Sequence, residues 1–271
     1  MPTGFGRYTW YYEIIEEKRG GNVSSYDQKH FDSCAESYET EIGEEYPQWL
    51  KWNLLERHIR KGARVADIGG ANGRHARDVA GKLACDVVCV DLSEGMLRQL
   101  KARSMETGKT NGQVPAPVVA RAQAIPLADG SMDAAWCYAT LLLMPDQEVA
   151  ISEIARIVKP GGTIILDIGN RWNLGWIYWQ RFYKKRGFPG IFPLSGSAIR
   201  DLAVKLDCEI IENVPTGILS QLMYIPFVDK HTPLRRLIHK QGQYPDIDGR
   251  CSAMLPVFAN RFYVVLKKRS G

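Results

Sequence analysis

One stretch of this 271-residue chain combines an acid and small residues in a way that chemistry can use: Val65-Ala66-Asp67-Ile68-Gly69-Gly70-Ala71-Asn72-Gly73-Arg74. It reads as a β-strand ending and a helix beginning. Small residues at 69, 70, 71 and 73 let the backbone turn sharply and let a ligand lie against it. Turns of this kind also hold dinucleotides, so the spacing must decide. A GxGxxG fingerprint begun at Gly69 needs glycine where Arg74 stands, and one begun at Gly70 fails at Asn72 and His75. The pattern that fits is D-x-G-x-(G/A)-x-G, with a carboxylate just before the turn. That carboxylate would repel a pyrophosphate and suits a cationic amine. Eighteen residues beyond Gly73, Asp91 ends a second strand-like run, where an acid can accept hydrogen bonds from both hydroxyls of a ribose. Asp91 could instead cap the following helix, although Ser93 followed by Glu94 is better suited to that task.

The other chemistry-bearing residues are scattered. The histidines are His30, His58, His75, His231 and His239, and of these His30 is the candidate general base, with a helix-surface role as the alternative. His75 is expected to pack in the first crossover helix. The cysteines at 34, 85, 89, 137, 208 and 251 contain no CxxC pair, so no metal site is expected. Gly108-Lys109-Thr110 echoes the end of a phosphate-binding loop, but position 103 is Arg and no strand precedes it.

These residues need a scaffold, and the pattern after residue 63 supplies one. Strand-like runs at 63–69, 86–92, 115–122, 132–139 and 162–169 alternate with helix-like stretches at 74–83, 94–106 and 146–158. That alternation implies βαβ units and a parallel sheet with helices on both faces, an α/β doubly wound fold. A helix at 195–206, a strand at 208–214 and a final strand at 258–267 follow. The expected organisation is a helical N-terminal cap (1–60), an α/β core (61–170), a cap insertion with a further helix and strand (171–257), and a closing strand and tail (258–271).

Composition fits a soluble globular chain, with 45% hydrophobic and 24% charged residues. No signal peptide or spanning segment is apparent, so a cytoplasmic protein with free thiols is expected. The net charge of +5 hides an asymmetry. Residues 13–45 hold ten acids against three bases, whereas residues 171–186 hold Arg171, Arg181, Lys184, Lys185 and Arg186 and no acid. In the same segment Trp172, Trp176, Trp179 and Tyr183 recur at helical spacing. Three readings stay open for it: a cap packed on the core, a lid over an aromatic or lipid-like acceptor, or a helix lying on a membrane surface. The tail Lys267-Lys268-Arg269 is too short to argue for nucleic acid.

Taken in order, the motifs resemble those of class I S-adenosylmethionine (SAM)-dependent methyltransferases. Asp67 to Gly73 and Asp91-Leu92-Ser93-Glu94-Gly95-Met96-Leu97 look like their first two motifs. Ile125 to Asp133 resembles their "LPFPDGSFD" run, and Glu153 to Gly162 resembles "REIARVLKPGG". Phe31 to Tyr38 is similar to the "FDxxAxxYD" start of the ubiquinone/menaquinone-type subgroup. The resemblance covers roughly residues 25–170. It implies a Rossmann-like seven-stranded sheet, mostly parallel, with the last strand antiparallel. It also implies SAM as cofactor, with Asp67 facing the methionine end and Gly69, Gly70, Ala71 and Gly73 passing close to methionine and ribose. Asp91 would hold the ribose, Leu92 would lie against adenine, Ala122 and Gln123 would border the adenine edge, and Cys137 would approach the methyl group.

Two departures stand out. Where the pattern has Gly-Asp-Ala, this chain has Ala120-Arg121-Ala122, so an acceptor becomes a pure donor. Leu141-Leu142-Leu143-Met144 replaces histidines found in many relatives. The expected function is methyl transfer to O, N or C of a small, bulky and partly apolar acceptor: a natural product, a quinone or a lipid-linked intermediate. Tyr38, Trp172, Trp176 and Trp179 are the acceptor-facing candidates. Two alternatives remain, a non-catalytic partner-binding protein of the same fold and, behind it, a nicotinamide-dependent oxidoreductase.

Overall fold

The computed structural model of the protein describes residues 23–36, 38, 45–106, 113–185, 188–221, 238 and 244–270. His231, His239, Arg186 and the Gly108-Lys109-Thr110 segment lie outside the described residues, as do residues 1–22 of the expected cap.

Seven strands form one sheet in the order β3-β2-β1-β4-β5-β7-β6. They are β1 (Arg64–Ile68), β2 (Asp86–Asp91), β3 (Ala116–Val119), β4 (Met132–Cys137), β5 (Val158–Gly169), β6 (Cys208–Thr216) and β7 (Arg261–Lys268). The first five run parallel, while β7 is antiparallel to both β5 and β6. The pattern implied the parallel part of this sheet, and the family resemblance implied seven strands with the last antiparallel. One boundary moves: β5 begins at Val158 rather than 162, so Pro160-Gly161-Gly162 is carried within the strand.

Alternation explains why the sheet is covered twice. Ala66, Ile68, Val88, Val90, Ala135 and Cys137 bury on one face; Val65, Val87, Cys89, Ala134 and Trp136 bury on the other. The helices are α1 (Val23–Cys34), α2 (Glu45–His58), α3 (Arg74–Leu83), α4 (Glu94–Glu106), α5 (Gln147–Ile157), α6 (Trp176–Lys185), α7 (Gly196–Lys205) and α8 (Ile247–Met254). Helix α3 buries Ala76, Val79, Ala80 and Leu83, one stripe at spacings of three and four. Helix α6 buries nothing.

Polar anchors lock the loops at the C-terminal strand ends. Arg156 of α5 donates to the carbonyls of Leu127 (2.9 Å) and Ile125 (2.8 Å) and pairs with Glu153 and Asp129. Glu153 also accepts the Ile125 amide at 3.0 Å. These bonds fix the loop before β4, so both later motifs do structural work there. Arg156→Ala should lower the unfolding free energy by about 2 kcal/mol, as measured in urea, because charge-assisted bonds are lost together. Arg156→Lys should recover only part of it, since an ammonium lacks the fork.

Candidate active site

The turn between β1 and α3 is tight because its amides are claimed from β2. Gly69 N and Gly70 N donate to the Val90 carbonyl at 2.7 and 3.3 Å. A side chain at Gly70 would lie 2.4 Å from Cys89 Sγ and 2.8 Å from Asp67 Oδ2, so glycine is required there and the Asp67 carboxylate lies directly beneath the turn. Ala71 takes a left-handed φ of 48°, held by its amide bonding to Asp91 Oδ2 at 2.8 Å. Asp91 Oδ1 accepts from Ser93 N at 2.8 Å, and Ser93 Oγ caps α4 through Met96 N at 3.1 Å. Asp91 and Ser93 therefore share the junction, and Asp91 is more than a helix cap.

Above the turn is a cavity of about 350 Å³ whose wall includes Gly69, Ala71, Asp91, Leu92, Ala122, Gln123 and Tyr38. Gly70, Gly73 and Asp67 are not on the wall but form the layer under it. Asp67 is 3% exposed and its Oδ2 has no hydrogen-bond partner among the described residues. A buried carboxylate oxygen left open beside a cavity suits a cationic donor group of a ligand. Burial first, and the neighbouring Asp91 second, push the Asp67 carboxyl up to about 8. Asp91 is raised too, chiefly by burial.

Cys137 occupies a different place from the one expected. It is fully buried on the face of β4 turned into the core, because the two-residue period sends its side chain away from the opening. The wall passes instead to Tyr138, Ala139 and Thr140. Ala139 has a φ of 58°, and its amide is held at 3.1 Å by Asp167 Oδ2, which Arg261 also engages at 2.8 Å. Thr140 Oγ1 donates back to the Gly69 carbonyl at 3.3 Å. Asp167 and Arg261 thus shape the wall from 94 residues apart, and no local pattern marked them.

Helix α1 roofs the cavity. Asp32 Oδ1 accepts from Ser93 Oγ (2.5 Å) and Gly95 N (2.9 Å), docking α1 on the start of α4. Ala35 packs on Met96 there, and Phe31 and Tyr38 reach the wall. The Tyr38 carbonyl is tied to Asn72 Nδ2 at 3.0 Å. His30 is not on the wall; its ring packs edge-on against Phe31 and Phe188, each at 5.3 Å. Among the described residues no histidine lines the cavity. His75 packs under it against Tyr138, held neutral because burial, then Lys51 and Arg74, drive its pKa well down.

Trp172, Trp176 and Trp179 are likewise off the wall. Trp172 is 60% exposed and Trp176 37%, while Trp179 is half-buried. Arg121, noted above as a departure, and Asp146, not anticipated, complete the wall. Arg121 lines the cavity beside Asp146, which accepts from Gln123 Nε2 at 3.0 Å. Asp146 precedes α5, far in sequence from the position where an acid was expected.

Comparison with known proteins agrees with this architecture. Residues 66–166 match the sequence family described as methyltransferase domain. An uncharacterised protein of Mycobacterium tuberculosis is 32% identical over 106 residues, 39% of this chain and 37% of that one. The ubiquinone/menaquinone biosynthesis C-methyltransferase of Cupriavidus metallidurans is 27% identical over 168 residues, 59% of this chain and 65% of the relative. The chain therefore spans about a third of the length of the first curated relatives it matches, and somewhat under two thirds of the quinone enzymes. Among solved structures, the [4+2]-cyclase SpnF superposes with a TM-score of 0.65 at 17% identity, covering 93% of this chain and 98% of the cyclase. Phosphoethanolamine N-methyltransferase 2 of Haemonchus contortus, in complex with SAM, gives 0.63 at 19%, covering 93% of this chain and 61% of that one. Residues 66–166 are thus similar to the methyltransferase domain family, and the sheet order is the fold these solved structures share.

The raised Asp67 pKa has a consequence for stability. Between about pH 4, where an unfolded aspartate ionises, and about pH 8, the folded chain holds a proton the unfolded chain releases, so this group's contribution falls as pH rises. Asp67→Asn should stabilise the ligand-free protein more at pH 8 than at pH 5, read by urea unfolding at both values.

Proposed function

We propose that this chain binds SAM in the cavity at the β1 and β2 ends and transfers its methyl group to a small, partly apolar acceptor. The observation that carries this is the pair of acids around the glycine turn, with Asp67 Oδ2 buried and open. In this reading Asp67 faces the cationic amino group of the methionine portion. Asp91, whose oxygens each accept one backbone amide, uses its remaining lone pairs on the ribose hydroxyls. Gln123 and Asp146 take the adenine edge, Asp146 replacing in space the acceptor lost at Arg121. The bound cofactor supplies an electrophilic methyl on a sulfonium. The chain supplies alignment and a dry cavity: Phe31, Tyr38 and Tyr138 line the space, and α1 covers it.

Among the described residues the wall offers no histidine base, so this reading favours an acceptor that is already nucleophilic or whose proton leaves without His30. An apolar wall suits an acceptor with aromatic or isoprenoid bulk; a quinone, lipid-linked or natural-product acceptor fits, and the methylated atom is open. Arg121 favours one second reading, a chain of this fold that binds cofactor without methylating. Turnover of methyl-labelled SAM with candidate acceptors separates the two.

Calorimetric titration with S-adenosylhomocysteine should give micromolar binding, and NADH none. Asp91→Ala should weaken the first by about 1–3 kcal/mol, the worth of bonds to a charged acceptor. An unchanged dissociation constant would place the ribose elsewhere.

Asp146→Ala should weaken the same titration by about 0.5–1.5 kcal/mol, one hydrogen bond's worth. Adenosine alone should lose affinity to the same extent, whereas a compound carrying only the amino-acid end should not respond.

A further inference from the structure

The outward face of α6 has properties the cavity does not use. Trp172 and Ile177 are each 60% exposed and Leu174 is 68% exposed, a density of large apolar surface that a folded chain rarely leaves to water without purpose. Ile177, Arg181, Lys184 and Lys185 are all exposed and follow one another at spacings of four, three and one, so they share one side of the helix. Arg171, also exposed, precedes the helix, and residues 171–186 contain no acid. The exposed apolar side chains Trp172 and Leu174, just before α6, and Ile177 in its first turn thus adjoin the basic side of the helix.

We propose that this face docks α6 in the plane of an anionic lipid surface. The apolar group Trp172, Leu174 and Ile177 would enter the acyl boundary, and the basic group would meet the headgroups. Charge decides the occupant: a neutral apolar partner would leave four cations unanswered, and a second copy of the same face would oppose them to four more. No helix among the described residues is long and apolar enough to cross a membrane, so the contact is peripheral. The inner side of α6 ties the surface to the cavity. Tyr183 contacts Phe188 at 5.8 Å, Phe188 contacts Phe31 at 6.3 Å, and Phe31 lines the cavity wall. Docking in this way brings the cavity roof to the bilayer.

The test is co-sedimentation of the whole chain with vesicles of equal parts phosphatidylcholine and phosphatidylglycerol, beside vesicles of phosphatidylcholine alone. It needs no cofactor, so it stands apart from the methyl-transfer reading. The expected result is binding to the anionic vesicles only, reversed by high salt. It should weaken about tenfold or more in Lys184→Gln/Lys185→Gln and also in Trp172→Ala/Ile177→Ala. Circular dichroism and thermal unfolding matching the parent show that both variants fold. A parent chain that stays in the supernatant overturns the proposal, as does binding that neither variant changes. A dimer in sedimentation equilibrium that both variants dissociate overturns it too, since the face would then be a self-interface.

Discussion

Two carboxylates at the ends of neighbouring parallel strands, taken out of water, are the constraint around which this site is organised. Burial disfavours both charges, and their proximity disfavours them further. Asp91 is tolerated because two backbone amides, Ala71 N and Ser93 N, point at it. Asp67 lacks that compensation on Oδ2 and keeps a raised pKa. In the proposed reading, a ligand cation bound under the glycine turn would favour the ionised form of Asp67 that burial disfavours. A pyrophosphate would aggravate the problem, which is why this turn and a dinucleotide turn diverge in chemistry despite their shared shape.

The same economy of contacts builds the rest of the cavity. Asp91 joins the turn to α4, Asp32 joins α1 to α4, and Asn72 joins the turn to the Tyr38 segment. Each bond ties a distant element to the β1–β2 edge, so the roof is held by polar contacts at its margins and by aromatic packing at its centre. The opposite wall depends on Asp167 and Arg261, which hold Ala139 in a backbone conformation that alanine seldom adopts. Strain of this kind is common where a wall must pass close to a ligand.

The chain shares its fold with solved methyltransferase-like structures, but fold alone does not fix chemistry. The structural neighbours include one described as a [4+2]-cyclase and one described as an N-methyltransferase. Among the described residues the cavity wall joins aromatic and aliphatic side chains to Asp91, Arg121, Gln123 and Asp146, and no histidine lines it.

The scaffold was legible in the sequence because each of its parts is a local signal. Helices α3 and α4 fall at the residues that periodicity and capping marked, since Ser93 and the apolar stripes act over only a few positions. Asp67, the glycines and Asp91 were legible because a tight turn leaves few residue types able to fill it. Cys137 was misplaced because a strand's facing depends on its register in the sheet, which sequence adjacency does not reveal. Asp146, Asp167, Arg261 and Asp32 were invisible for a related reason: each acts on a partner distant in sequence, and only the closed sheet brings the pairs together. The sequence by itself determined the strand-turn-helix unit and its acids, through short-range sterics and hydrogen bonding. Tertiary structure alone decided which side chains form the wall, which lie beneath it, and that the aromatic, basic helix faces outward, because these follow from packing between elements far apart in the chain.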